Sequence, residues 1–223
     1  MTAVDDPRRI DGDDSSGSPL SPRLRAAAVL RRLGHAIVAH DVDDESFDRL
    51  TTSAGAFLTL VEQAPPREPS TAGDLFAAPP PPQGGVRGNH FMDCIVTGLA
   101  NPMGVAAETL RQGDDAVLRT TLGAAFEGAP GRAHGGMVAA LFDEVMGFVL
   151  SIACTPAFTG RLTVSYRAPV PIGAPLEFRA RLTGRDGRKL LMAGEARHDD
   201  ALLAEAEALF VAVDPERFSA GRG

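Results

Sequence analysis

The stretch Gly128–Leu150, GAPGRAHGGMVAALFDEVMGFVL, decides how the rest of the chain is read. A glycine-rich lead passes through His134-Gly135-Gly136 into a run that is apolar nearly throughout, yet Asp143 and Glu144 stand together in its middle. The start of a helix leaves its first amide N–H groups unpaired and carries the positive end of the helix dipole. Gly135 and Gly136 therefore offer donors to an oxygen that gains negative charge, and glycine lets a ligand approach the backbone closely. The residues one turn from Asp143 are Ala139, Ala140 and Gly147, with Gly136 a turn further back. A strip of small side chains thus leads from the amides to a carboxylate. An unpaired buried carboxylate is costly, and such acids concentrate at working sites. The same residues also fit a plainer reading: a tight turn into a core helix, with Asp143 bridged to an arginine of a sheet. Glu144 projects about 100° around the helix from Asp143, beside Met137, Leu141 and Phe148, and reads as a structural or interface salt bridge.

On either side of this helix the texture is that of short strands. FMDCIVTGLA, GVAAETLRQ and DAVLRTTLG precede it, broken by Asn-Pro and Gly-Asp-Asp. After it come GRLTVSYRAPV, APLEFRARLTG, RKLLMAGEARHD and ALLAEAEALFVAVD. Leu162, Val164 and Tyr166 alternate with polar residues, as do Leu176, Phe178 and Ala180, while Gly184–Gly187 and Asp199-Asp200 read as hairpin turns. The last segment favours helix by propensity, but its place at the end of a hairpin series predicts a strand. An antiparallel sheet must cover its apolar face, and a single apolar helix can do so. The expectation is an α+β domain over residues 89–218, a sheet curled around one central helix.

Residues 1–20 are rich in Asp, Ser, Gly and Pro and predict disorder. Ser21-Pro22 reads as an N-cap with proline in the first turn. Beyond it, Ala26, Leu30, Leu33 and Ile37 recur at helical spacing opposite Arg25, Arg31 and Arg32. A second helix begins at Asp43–Ser46 and carries Phe47, Leu50, Ala54, Phe57 or Leu58, and Val61 on one side. Residues 21–63 thus predict a helical hairpin that docks over the core, and proline-rich 64–88 a linker.

The chain has 223 residues and a formal net charge of −7, which argues against a general nucleic-acid binder. No apolar run free of acids reaches the length of a membrane span. Cys94 and Cys154 have no metal-ligand spacing and read as two buried thiols. The first residues lack the order of a secretory signal, so a cytoplasmic protein is expected.

GRAHGGMVAALFDEVMG resembles the helix-start motif of hotdog-fold acyl-CoA thioesterases, in the branch that includes the THEM4-type and phenylacetate-pathway enzymes. In that branch HGG is followed by a catalytic aspartate nine positions after the histidine, the spacing of His134 and Asp143. Tyr166, Arg167 and Pro169 on the following strand and the Gly187-Arg188-Lys189 hairpin are similar too, and the likeness covers roughly residues 89–215. The resemblance implies a hotdog fold with an N-terminal helical extension. It implies Asp143 as general base or nucleophile and the Gly135 amide, with Gly136, polarising a thioester carbonyl. Thr159 would place Asp143 or a water, and His134 would hold the helix start or the carbonyl. Some relatives keep an Asn about six positions before the histidine, where this chain has Gly128. The chemistry it implies needs no metal or redox cofactor, coenzyme A being part of the substrate. Arg185, Arg188 and Lys189, with Arg167, would meet its phosphates. A homodimer or higher assembly is implied, each site drawing amides from one subunit and the carboxylate from another. Two alternatives stand beside this: a hotdog dehydratase, and a non-catalytic acyl-CoA sensor whose basic first helix binds DNA or a protein.

Overall fold

The computed structural model describes residues 21–67, 80–84 and 91–214; the tail expected over 1–20 and most of the proline-rich segment lie outside them. Two helices, α1 (Pro22–Ala39) and α2 (Asp44–Glu62), precede strands β1 (Glu108–Gln112) and β2 (Asp115–Thr121). A short 3-10 turn (Ala124–Phe126) and a small ribbon, β3 (Glu127–Ala129) with β4 (Arg132–Ala133), lead into α3 (Gly135–Ile152). Four long strands follow: β5 (Ala157–Tyr166), β6 (Pro175–Asp186), β7 (Lys189–His198) and β8 (Ala201–Ala212).

The main sheet is antiparallel at every pairing and ordered β1-β2-β6-β7-β8-β5. Its helix-facing positions are those the alternation marked: Leu176, Phe178 and Ala180 on β6 are buried against Phe142, Val145 and Met146 of α3. Phe142 meets Phe178 edge to face with centroids 5.0 Å apart. β8 is a strand despite its Ala-Leu-Glu composition, because pairing on both sides to β7 and β5 outweighs propensity. Gly113, Gly187 and Asp199 take positive φ at the hairpin turns. This is the hotdog arrangement, a curled sheet around one helix. α3 is long and apolar enough to cross a membrane by composition alone, but Val138, Leu141, Phe142, Val145, Met146 and Val149 are buried in the sheet.

Several expectations are corrected. FMDCIVTGLA is a succession of turns, not a strand. The carbonyls of Leu99 within it and of Asn101 just after it are satisfied by the Arg31 guanidinium at 2.9 and 2.8 Å instead of by a neighbouring strand. Arg31 is therefore half-buried on the core-facing side of α1, whereas Leu30, expected inside, is exposed. Ala27 is the buried residue of this helix. Ser21 does cap α1, its Oγ accepting from the Leu24 amide at 3.4 Å, and Asp43 caps α2 through the Ser46 amide at 2.8 Å. α1 docks on the core through the 3-10 turn, but α2 packs extensively against no described element: Phe57 and Val61 are each 70% exposed. The proline-rich segment is tethered at described points on both sides. Arg67 pairs with Asp93, and the Gln83 amide exchanges two hydrogen bonds with the Gly113 backbone at 2.8 and 3.0 Å. Cys94 is half-buried, but Cys154 is exposed.

Candidate active site

His134 caps α3. Its Nδ1 accepts from the Gly136 amide at 3.0 Å, so the ring proton of the neutral imidazole sits on Nε2. The Gly136 N–H is thereby consumed, and Gly136 is not the second amide donor that was expected. The Gly135 amide has no hydrogen-bond partner among the described residues. The Gly135–Gly136 peptide is held from both sides, because the Tyr166 hydroxyl donates to the Gly135 carbonyl at 2.7 Å. Tyr166 also crowds this position: a Cβ at Gly135 would stand 3.1 Å from the Tyr166 oxygen and 3.3 Å from its ring carbon, so the tyrosine would have to give way slightly. The alternation with Leu162 and Val164 already placed Tyr166 on the helix side, so this contact was within reach of the sequence and was missed.

Among the described residues no arginine pairs with Asp143. Its Oδ1 accepts from the Thr159 hydroxyl at 2.6 Å, so Thr159 places the carboxylate. Thr159 and Tyr166 have opposite parity on one strand and would point to opposite faces of a regular one. A bulge between Thr159 and Arg161 restores both to the helix side, and Gly160 within the strand was its visible signal. Asp143 is exposed, not buried, and Ala139, Ala140 and Gly147 share its partly open face. A Cβ on Gly147 would meet nothing within 4 Å.

Glu144 forms no salt bridge among the described residues. Its two oxygens accept from the Thr97 hydroxyl at 2.7 Å and the Cys94 thiol at 3.3 Å, tying the 91–104 turns to α3. Gly128 cannot be replaced by a larger residue in place, because a Cβ there would stand 2.7 Å from the His134 α-carbon. No side-chain amide can substitute for it from this position.

A cavity of about 530 Å³ opens at the helix start, lined among others by Arg132, His134, Gly135, Val138, Tyr166 and Arg167. Arg167 bridges Glu205 at 2.8 Å. The hairpin cations are elsewhere. Lys189 pairs with Val211, at the opposite end of the sheet from Tyr166 and Ala204. Arg185 and Arg188 donate to the Gly187 and Ala212 carbonyls at 3.2 and 2.9 Å. Arg167 and the Arg185–Lys189 hairpin are thus not one cluster within a chain.

Gly135 and Asp143 are eight residues apart on one helix, a rise of about 12 Å. A reacting carbonyl must lie roughly 3 Å from both an oxyanion donor and the attacking group. One copy of the helix cannot place both on the same atom.

The curled sheet around α3, with a capped glycine amide at the helix start and a threonine-held aspartate two turns on, defines a hotdog-fold protein. Residues 130–206 match the family model of the thioesterase superfamily. The acyl-coenzyme A thioesterase THEM4 of Xenopus laevis is 36% identical over 91 residues, which is 40% of this chain and 41% of that protein. The Bos taurus protein of the same name is 33% identical over 97 residues, 42% of this chain and 39% of its own length. The chain thus spans about two fifths of the length of these curated relatives. A solved thioesterase superfamily protein superposes with a TM-score of 0.74 at 25% identity, covering 90% of this chain and 93% of its own. That coverage cannot be reached without the segment ahead of residue 89, so the likeness extends into the N-terminal extension.

Proposed function

We propose that the protein hydrolyses a fatty or aromatic acyl-CoA to the free acid and CoA. The observation that carries this reading is the Thr159-held carboxylate of Asp143 on an open helix face whose start bears the Gly135 amide, partnerless among the described residues. Asp143 takes a proton from water, and the water oxygen attacks the thioester carbonyl carbon. The carbonyl oxygen, as it becomes negative, accepts from the Gly135 N–H and from the His134 Nε2–H, whose tautomer the Gly136 amide sets. Collapse breaks the carbon–sulfur bond, and the departing thiolate receives the proton held by Asp143. A direct attack by the Asp143 carboxylate, followed by hydrolysis of the anhydride, uses the same groups.

Because Gly135 and Asp143 of one chain are too far apart, the site is completed by a second copy. The surface suited to this is β5, a ten-residue strand at the sheet edge with one side unpaired among the described residues. Edge-to-edge pairing there sets α3 of one protomer against the partner's and lets amide and carboxylate meet across the seam. The Arg185–Lys189 hairpin at one end of the sheet and Arg132 and Arg167 at the other are the cations available to CoA phosphates.

A dehydratase would set a histidine and an acid for proton abstraction, whereas here Nδ1 of His134 is engaged by an amide. The DNA-binding reading of α1 is disfavoured because Arg31 turns to core carbonyls and Arg23 pairs with Asp93. A panel of acyl-CoAs assayed by release of free thiol tests the proposal: equimolar acid and CoA support it, and no turnover of any member contradicts it.

A further inference from the structure

We infer that His35, on α1, is a positioning residue for this site, holding the turn that seats His134 and the Gly135 amide. The inference rests on the thioesterase reading for its kinetic consequence but on geometry for its substance. The His35 ring lies directly on Gly123, where an added Cβ would come within 2.5 Å of Nδ1. Nδ1 accepts from the Ala125 amide at 3.1 Å, and the ring meets Phe126 edge to face at 5.1 Å. The next link is the backbone of Phe126 itself, whose carbonyl accepts from the His134 amide at 2.9 Å. His134 in turn accepts from Gly136, the bond that caps α3. A continuous run of hydrogen bonds and packed backbone therefore joins the N-terminal helix to the proposed oxyanion donor. Arg31, one turn before His35, fixes α1 to a second segment through the Leu99 and Asn101 carbonyls. The extension is thus part of the machinery that orients the amide, and not a cover laid over it.

The bond from Ala125 requires Nδ1 without a proton. Burial, and then the Arg31 charge, hold the His35 pKa below its ordinary value of 6.5. The turn packed against it brings Leu122, Gly123, Ala124, Ala125 and Phe126, none of which titrates, so Arg31 is the charge that bears on the ring. A histidine held neutral in the folded state binds fewer protons than in the unfolded one. The latch is whole above pH 6.5, and its contribution is lost as pH falls from there through the folded value.

The test uses the full chain and four variants: His35→Ala, His35→Asn, Gly123→Ala and the double His35→Ala/Gly123→Ala. In His35→Asn the side-chain oxygen stands where Nδ1 stood and accepts from Ala125 without titrating. Two readouts are taken across about pH 5 to 8: kcat and KM for the best acyl-CoA, and amide hydrogen exchange over the 122–137 segment. His35→Ala is expected to lower kcat roughly tenfold with KM little changed, and to speed exchange at Ala125 and His134. His35→Asn should rescue both and flatten the acid limb of the profile. Gly123→Ala should mimic His35→Ala, and the double variant should be no worse than either single one, since the atoms nearest the added methyl are those of the ring. Unchanged exchange in His35→Ala, or failure of His35→Asn to rescue exchange and flatten its pH dependence, would overturn the inference. If the wild-type chain turns over no acyl-CoA, the enzymatic reading fails on its own, and the exchange data still decide the role of His35.

Discussion

The Thr159 hydroxyl donates to Asp143 Oδ1 at 2.6 Å, across the gap between the edge strand and the central helix. The bond leaves Oδ2 without a partner among the described residues and fixes the direction in which the carboxylate can take a proton. It also makes the β5 bulge a functional feature, since a regular strand would turn either Thr159 or Tyr166 away from the helix.

Thr159→Ala should lower kcat by roughly tenfold, on the order of the loss of one hydrogen bond to a charged group, with KM little affected. Thr159→Ser keeps the donor and should retain most activity. Steady-state kinetics on one acyl-CoA decides this; a Thr159→Ala enzyme with wild-type kcat would remove Thr159 from the site.

At the other end of the strand, Tyr166→Phe removes the bond to the Gly135 carbonyl but leaves the ring in place. A several-fold fall in kcat is expected. Gly135→Ala keeps the N–H but sets a methyl 3.1 Å from the Tyr166 oxygen, and should lower kcat by a comparable factor as the ring and the peptide it holds shift apart. Combining the two variants removes the closest contact, the hydroxyl oxygen, but does not restore activity, because the bond to the Gly135 carbonyl is lost with it. Equal activity of Gly135→Ala and wild type would show that Tyr166 gives way to the methyl without disturbing the amide.

Reversing the charge of Arg185 and Lys189 should raise KM for CoA esters and leave short acyl thioesters without the nucleotide unaffected. Both side chains are exposed on the strand ends beside the hairpin turn, so folding should be unchanged. The same effect on both substrate types would show that the hairpin does not read the nucleotide.

Phe142 is fully buried and packed edge-on against Phe178. Phe142→Ala should destabilise the domain by about 3–5 kcal/mol, read from denaturant unfolding. A loss well under about 1 kcal/mol would mean that the helix–sheet core is not packed as described.

The helix–sheet architecture was legible because its signals are periodic: Leu176, Phe178 and Ala180 alternate, and one apolar helix separates the two groups of strands. The spacing from His134 to Asp143 was legible from the motif. What escaped was set by pairings without a period. Arg31 is drawn inward by the carbonyls of Leu99 and Asn101, so a polar residue lies on the docked face of α1 and Leu30 on the exposed one. Those same bonds leave residues 91–104 as turns where apolar content suggested a strand. Asp143 was expected inside because its sequence neighbours are apolar, but they face the sheet and it does not. Glu144 was expected to meet a cation and instead receives a hydroxyl and a thiol from a segment 47 and 50 residues away.

The central claim is that the Gly135 amide of one copy and Asp143 of another act on the same thioester. Asp143→Asn removes the base, and Gly135→Pro deletes the N–H at a helix position that accepts proline. Each homogeneous variant should lose about 10²–10⁴-fold and 10²–10³-fold of turnover respectively. Co-expressed with different affinity tags and purified as mixed pairs, the two should regain about half the wild-type rate per pair, because one of two symmetry-related sites keeps both groups. Mixed pairs as inactive as their parents would contradict a site shared between copies.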